Sequence, residues 1–185
     1  MKPRRIAISA GHSNIAGADR GAVGNGLIEG EETVKIRNRI KQILNCWEIP
    51  VSVEPESSAT AQTVALFKKY FSGPDIVVDI HINAAANPKA TGAEVIVPEK
   101  PSLFEMRLAM EMSQAISDAL QIRNRGVKGE NLTPRKKLLW FTIPAEMILI
   151  ECFFISNKND VDQYKKNEAE LAAAIADVLA THRLK

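Results

Sequence analysis

The chain has 185 residues, 45% of them apolar and 25% charged, with a formal net charge of +2. That length and balance suit one globular domain with a sizeable core and exclude a disordered or fibrous chain. The nearly neutral charge also argues against a nucleic-acid partner, which calls for a strongly basic face.

No apolar run approaches the roughly 18–20 residues of a membrane span. After Met1-Lys2-Pro3-Arg4-Arg5 the apolar run is too short for a secretory leader. Cys46 and Cys152 have no disulfide spacing and read as small buried hydrophobes.

Residues 4 to 10, rich in Ile and Ala, predict a buried strand. Residues 11 to 28 predict a long loop carrying Gly11, Gly17, Gly21, Gly24 and Gly26, and loops of that length are usually functional. Thr33, Ile36, Ile40, Ile43, Leu44 and Trp47 recur at helical spacing. Extrapolated backwards, that stripe takes in Glu29, puts Glu31 on the opposite face and leaves Glu32 at its edge. All three acids also suit a helix N-terminus electrostatically.

Residues 50 to 54 predict a short strand. A helix through Ala61, Val64, Ala65, Lys68 and Phe71 follows and is stopped by Gly73-Pro74. Residues 75 to 82 are nearly continuous in Ile and Val, as in a strand buried on both faces. Residues 92 to 97 predict another strand. Phe104, Leu108, Met112, Ile116 and Leu120 mark a long amphipathic helix. Residues 124 to 142 read as basic and irregular, a solvated face with a capacity to touch acidic groups of a partner. Residues 147 to 154 predict the last core strand, and Leu171, Ile175, Val178 and Leu179 a final helix. Alternation of strands and helices gives the α/β class with a largely parallel sheet.

Two of the three histidines, His12 and His81, follow strand-like runs, and Glu151 ends a third. Strand ends are where open α/β sheets place ligands and metals. Two imidazoles, a coordinating carboxylate and a free carboxylate are the parts of a catalytic zinc site. By spacing alone, the histidines equally suit structural ones satisfied by backbone partners, since no compact HExxH pair is present. His182, near the C-terminus on the last apolar stripe, reads as structural. Alternation along a strand points Cys152 away from Glu151, against a thiol mechanism.

Four segments resemble, in order, the zinc-dependent N-acetylmuramoyl-L-alanine amidases of the Amidase_3 type. They are Gly11-His12-Ser13, Gly26-Leu27-Ile28-Glu29, Asp79-Ile80-His81-Ile82-Asn83-Ala84 and Ile150-Glu151-Cys152-Phe153-Phe154-Ile155-Ser156-Asn157. Arg125-Gly126-Val127-Lys128 and Pro144-Ala145 resemble further family features, and the likeness runs from about Ile6 to about Ala180.

The resemblance implies a single catalytic domain over residues 1–185. Its sheet would have about six strands, largely parallel or mixed, with helices on both faces in a phosphorylase/hydrolase-like arrangement. It implies one zinc ion per chain, with His12, Glu29 and His81 as ligands, and Glu151 as the catalytic carboxylate. Thr33 stands where the family commonly has Asn, and Glu32 is the rival to Glu29. Asn83, Arg125 and Asn157 are the expected substrate-binding residues.

The implied reaction is hydrolysis of the amide joining N-acetylmuramic acid to L-alanine, with peptidoglycan stem peptide and muramic acid as partners. The alternatives are a non-catalytic wall-binding module on the same scaffold and a related zinc carboxypeptidase. With no leader visible, the expected setting is synthesis in the cytoplasm and action on the wall after release, as for a phage or prophage endolysin. A catalytic domain excised from an exported autolysin is the other expected setting.

Overall fold

The computed structural model describes residues 3–12, 19–55 and 59–184. In chain order its elements are β1 (Ile6–Ala10), β2 (Val23–Gly24), β3 (Leu27–Ile28), α1 (Glu29–Cys46), β4 (Val51–Val53), α2 (Thr60–Tyr70), β5 (Gly73–Asn83), β6 (Ala93–Val97), α3 (Leu103–Leu120), β7 (Asn124–Gly129), β8 (Ala145–Phe154), α4 (Lys158–Lys166) and α5 (Glu168–His182). Ser13 and Gly17, two of the positions singled out in the glycine-rich stretch, lie outside the described residues.

Six strands form one sheet in the order β4-β1-β5-β8-β6-β7. β1 runs parallel to β4 and β5, and β5 runs parallel to β8. β6 runs antiparallel to β8 and parallel to β7, so the sheet is mostly parallel with one reversal.

Alternation along the central strands feeds two cores. Ile6, Ile8, Ile76, Val78, Ile80, Ile148 and Ile150 face a large cluster completed by α1, α3 and α5. Ala7, Val77, Met147 and Leu149 face a smaller one with Val64 and Phe67 of α2 and with Trp140. Helices therefore cover both faces. The predicted stripes of α1, α3 and α5 turn inward apart from the exposed Trp47, but in α2 Ala61, Ala65 and Lys68 are exposed and Thr63, Val64 and Phe67 are the buried residues. Among the described residues no helix is long and apolar enough to cross a membrane.

The sequence reading departs from the structure in three further places. The basic stretch after residue 123 contains the edge strand β7, whose Asn-Arg-Gly-Val-Lys-Gly sequence has one large apolar residue and no fully buried position. It also contains two short 3-10 turns, Glu130–Leu132 and Leu139–Thr142. Within the predicted loop 11–28, the small hairpin β2–β3 feeds directly into α1. Helix α4 is short and polar, and it is set by the Asn157 side chain accepting from the Asp160 N–H rather than by an apolar stripe.

Candidate metal centre

The carboxyl ends of β1, β5 and β8 lie side by side, and each delivers one polar group. β1 runs through Ala10 into Gly11 and His12, β5 carries His81 near its end, and β8 places Glu151 in register with His81. Glu29, the first residue of α1, enters from the side.

Glu29 is held from all sides. Its Oε2 accepts from the Ala22 N–H at 2.9 Å and its Oε1 from the Ile82 N–H at 3.0 Å. The N–H groups at the start of α1 are satisfied in return by backbone carbonyls, Glu29 N–H on Ala22 O and Gly30 N–H on Arg20 O, both at 2.9 Å. The helix has no side-chain N-cap, and with its first donors already met the Glu29 carboxylate is free to turn toward the histidines.

His81 Nδ1 lies 3.2 Å from Glu29 Oε1, and His12 Nε2 lies 3.5 Å from Glu29 Oε2. The two imidazole rings meet edge to face, 5.1 Å between centroids. One donor atom from each of His12, Glu29 and His81 falls within 4.8 Å of the others. Two imidazole nitrogens and a carboxylate oxygen make a donor set suited to zinc.

Two glycines make room for this cluster. A Cβ on Gly11 would fall on the His81 ring. Gly21 has φ +70°, and a Cβ there would meet Glu29 Oε2 at 2.5 Å and His12 Cδ2 at 2.7 Å.

The electrostatics follow from the packing. Burial pushes against a charged His81, yet the Asp79 carboxylate, with the hydrogen bonds to Asp79 and Glu29, raises its pKa well above 6.5. Burial also pushes the Glu29 carboxyl up, but the His81 hydrogen bond and the two imidazoles outweigh it and leave it below its ordinary value. Glu151 has no such compensation. Burial, with Glu29, Glu94 and Asp79 close by, pushes it up to about 8 against the opposing pull of His81. Its Oε2 is buried without a hydrogen-bond partner among the described residues. A buried carboxyl oxygen without a partner is an uncommon feature in a folded protein, and the register of β5 and β8 sets this one beside His81.

The other residues singled out in the sequence divide around this centre. Glu32 turns away, accepting from Tyr164 Oη at 2.8 Å and pairing with Lys35 at 2.7 Å. Glu31 pairs with Arg20. Asn83 donates to Glu94 Oε1 at 3.0 Å, and Arg125 donates through Nε to Glu94 Oε2 at 2.7 Å. Glu94 in turn stands opposite Glu151 in the β6–β8 ladder.

Asn157 serves the fold, with Oδ1 capping α4 and Nδ2 donating to Pro88 O at 3.0 Å. His182 is fully buried, 2.7 Å from Glu111. Cys152 is buried beside Glu151, and burial pushes its thiol up, which removes it as a nucleophile.

Sequence reasoning gave no role to Asp79, Glu94 or Asp19, which lies 3.3 Å from His12 Nδ1. For Asp79 a signal was present: two residues before His81 on one strand, it shares that residue's face.

Comparison with known proteins identifies the fold and the family. The chain is 28% identical over 180 residues to the uncharacterized protein YqiI of Bacillus subtilis, covering 96% of this chain and 83% of that one. It is 33% identical over 187 residues to the probable autolysin PH of Staphylococcus aureus, covering 90% of this chain and 36% of that one. The chain thus spans about a third of the autolysin's length. The crystal structure of the N-acetylmuramoyl-L-alanine amidase from Clostridium difficile 630 shares the fold, with a TM-score of 0.78 at 24% identity over 98% of this chain and 97% of that one. The Amidase_3 family, described as N-acetylmuramoyl-L-alanine amidase, matches residues 6–181, and the chain belongs to that family.

Proposed function

We propose that this chain hydrolyses the amide between N-acetylmuramic acid and L-alanine in peptidoglycan, using one zinc ion held by His12, Glu29 and His81 and Glu151 as the acid–base group. The observation that carries the proposal is the gathering of the three donor groups within 4.8 Å, next to the unpartnered buried oxygen of Glu151. A zinc ion held by His12, Glu29 and His81 would supply Lewis acidity there, lowering the pKa of a water toward neutrality and polarising a carbonyl.

The chain's own groups do the rest. Glu151, as the carboxylate, takes the proton of the attacking water and returns it to the departing alanine nitrogen. Glu29 is fixed by two backbone N–H groups, so its carboxylate keeps its orientation while the reacting groups move.

Substrate contact falls to the rim. Arg125, with 32% of its side chain exposed and its guanidinium over the Phe154 ring, faces an acidic group of the stem peptide. Asn83 anchors the same Glu94 carboxylate from the other side. Asn157 makes no substrate contact in this reading, because its side chain is committed to the α4 cap and to Pro88 O. Residues 6–181 act as one catalytic domain on the cell wall, in the manner of a lysin or autolysin. The acid at position 151 favours an enzyme over a pure wall-binding module, because binding alone gives no use for a buried carboxylate.

Purified peptidoglycan and defined muropeptides test the proposal. Digestion should release L-alanine amino termini without reducing sugar, stop with chelator and resume with zinc. Cleavage within the stem peptide, seen by mass spectrometry, would instead identify a carboxypeptidase.

A further inference from the structure

Asp79 sits in the middle of β5 with none of its surface exposed. Its register neighbours are Ser9 on β1 and Leu149 on β8. A carboxylate sunk in a central strand is expensive unless it serves a partner. Its partner is the His81 ring two residues on, with Asp79 Oδ2 2.8 Å from His81 Nε2. Strand alternation puts both side chains on one face.

The opposite ring nitrogen, Nδ1, is turned to Glu29 Oε1 at 3.2 Å and so into the donor cluster. Gly11 closes the remaining side. Its N–H donates to Ile80 O at 2.8 Å, and any Cβ on it would fall on the His81 Nε2, Cε1 and Cδ2 atoms. The ring is thus clamped between Asp79 and the Gly11 backbone, with one nitrogen facing each carboxylate.

We infer that Asp79 is the positioning residue of the metal centre. By accepting the Nε2–H of His81 it fixes the tautomer in which Nδ1 carries the free lone pair, and it holds that nitrogen on the His12–Glu29 side. A carboxylate behind a metal-ligating imidazole orients the ring and raises its basicity. Asp79 does not touch the substrate, and its effect passes through His81. This inference rests on His81 being a metal ligand, as proposed above.

The first measurement needs no variant. In the zinc-loaded full chain, long-range proton–nitrogen correlation NMR should show His81 protonated at Nε2 and unprotonated at Nδ1. A proton on Nδ1, with Nε2 free of hydrogen, overturns the inference.

The second measurement is zinc affinity by competition with a chromogenic chelator. Asp79→Ala should weaken zinc binding by about 10- to 100-fold. Asp79→Asn, which keeps an acceptor oxygen, should lose less and preserve the Nε2–H signature. Unchanged affinity in Asp79→Ala overturns this inference alone. A wild-type chain that takes up no stoichiometric zinc overturns both the ligand assignment and the inference built on it. Should Asp79→Ala fail to fold, the wild-type tautomer decides the matter.

Discussion

His81 and Glu151 are register partners across the β5–β8 ladder, side by side at the carboxyl ends of two parallel strands. The pairing sets a ring of the candidate metal centre beside the carboxyl group proposed to handle protons, and both residues are placed by strands. Glu151→Gln keeps the shape and removes the proton chemistry. The variant should fold and retain stoichiometric zinc, while turnover on peptidoglycan falls by about 100- to 10,000-fold or more. Near-normal turnover would remove Glu151 from the mechanism.

The two glycines at the centre give a second expectation. Gly11→Ala sets a methyl group against the clamped His81 ring, and Gly21→Ala adds backbone strain at φ +70° to a clash with Glu29 and His12. Both variants should keep the far-ultraviolet circular dichroism of the fold and lose most of their zinc, as measured by elemental analysis. Full zinc content in Gly11→Ala would mean that the ring has another place to go.

Proton linkage gives a third. Three groups of the centre have folded-state pKa values above their ordinary ones: Glu151, from 4.5 to about 8, His81, well above 6.5, and Asp79, pushed up by its burial. The stability each contributes is fully present below its unfolded value and is lost as pH rises through the folded one. Glu29 and Asp75, both lowered, act in the opposite sense, but only as pH falls through the acid range.

Protein stripped of metal by chelator should therefore melt lower at pH 8.5 than at pH 5, by on the order of 5–10 °C. Excess zinc should raise the melting temperature more at pH 8 than at pH 6, because binding displaces protons from these groups. Calorimetric melting curves across that range check both. A melting temperature rising with pH without zinc contradicts the assigned shifts.

Asp160 supports a fourth. Fully buried, it accepts from the Thr91 hydroxyl at 2.5 Å, the Gly92 N–H at 2.9 Å and the Phe154 N–H at 3.0 Å, tying the end of β8 to the approach to β6. Asp160→Ala leaves those donors buried without acceptors and should cost about 2–4 kcal/mol, measured by urea denaturation. Zinc content in the folded fraction should be unchanged, since none of these contacts reaches the donor cluster.

Much of this architecture was legible in the sequence because the central strands are apolar on both faces and the long helices keep one apolar stripe. Ile76-Val77-Val78 and the Phe104-to-Leu120 series announce themselves by periodicity. β7 and α4 do not. The edge strand has little to bury, and the short helix is specified by the Asn157 cap and by Asp160 rather than by hydrophobic spacing.

At the site, His12, His81 and Glu151 were visible as polar residues closing apolar runs. The sequence favoured Glu29 over its rival Glu32, and in three dimensions Tyr164 and Lys35 claim Glu32 while two backbone N–H groups hold Glu29. The parts played by Gly11, Gly21 and Glu94 depend on packing between segments distant in the chain, which no local pattern encodes.

X-ray absorption at the zinc edge of the loaded protein tests the central claim most directly. Two imidazole nitrogens with oxygen donors completing a four-coordinate shell, at one zinc per chain, is the predicted result. A sulfur shell near 2.3 Å, or fewer than two imidazoles, would contradict the assignment of His12, Glu29 and His81 as the ligands.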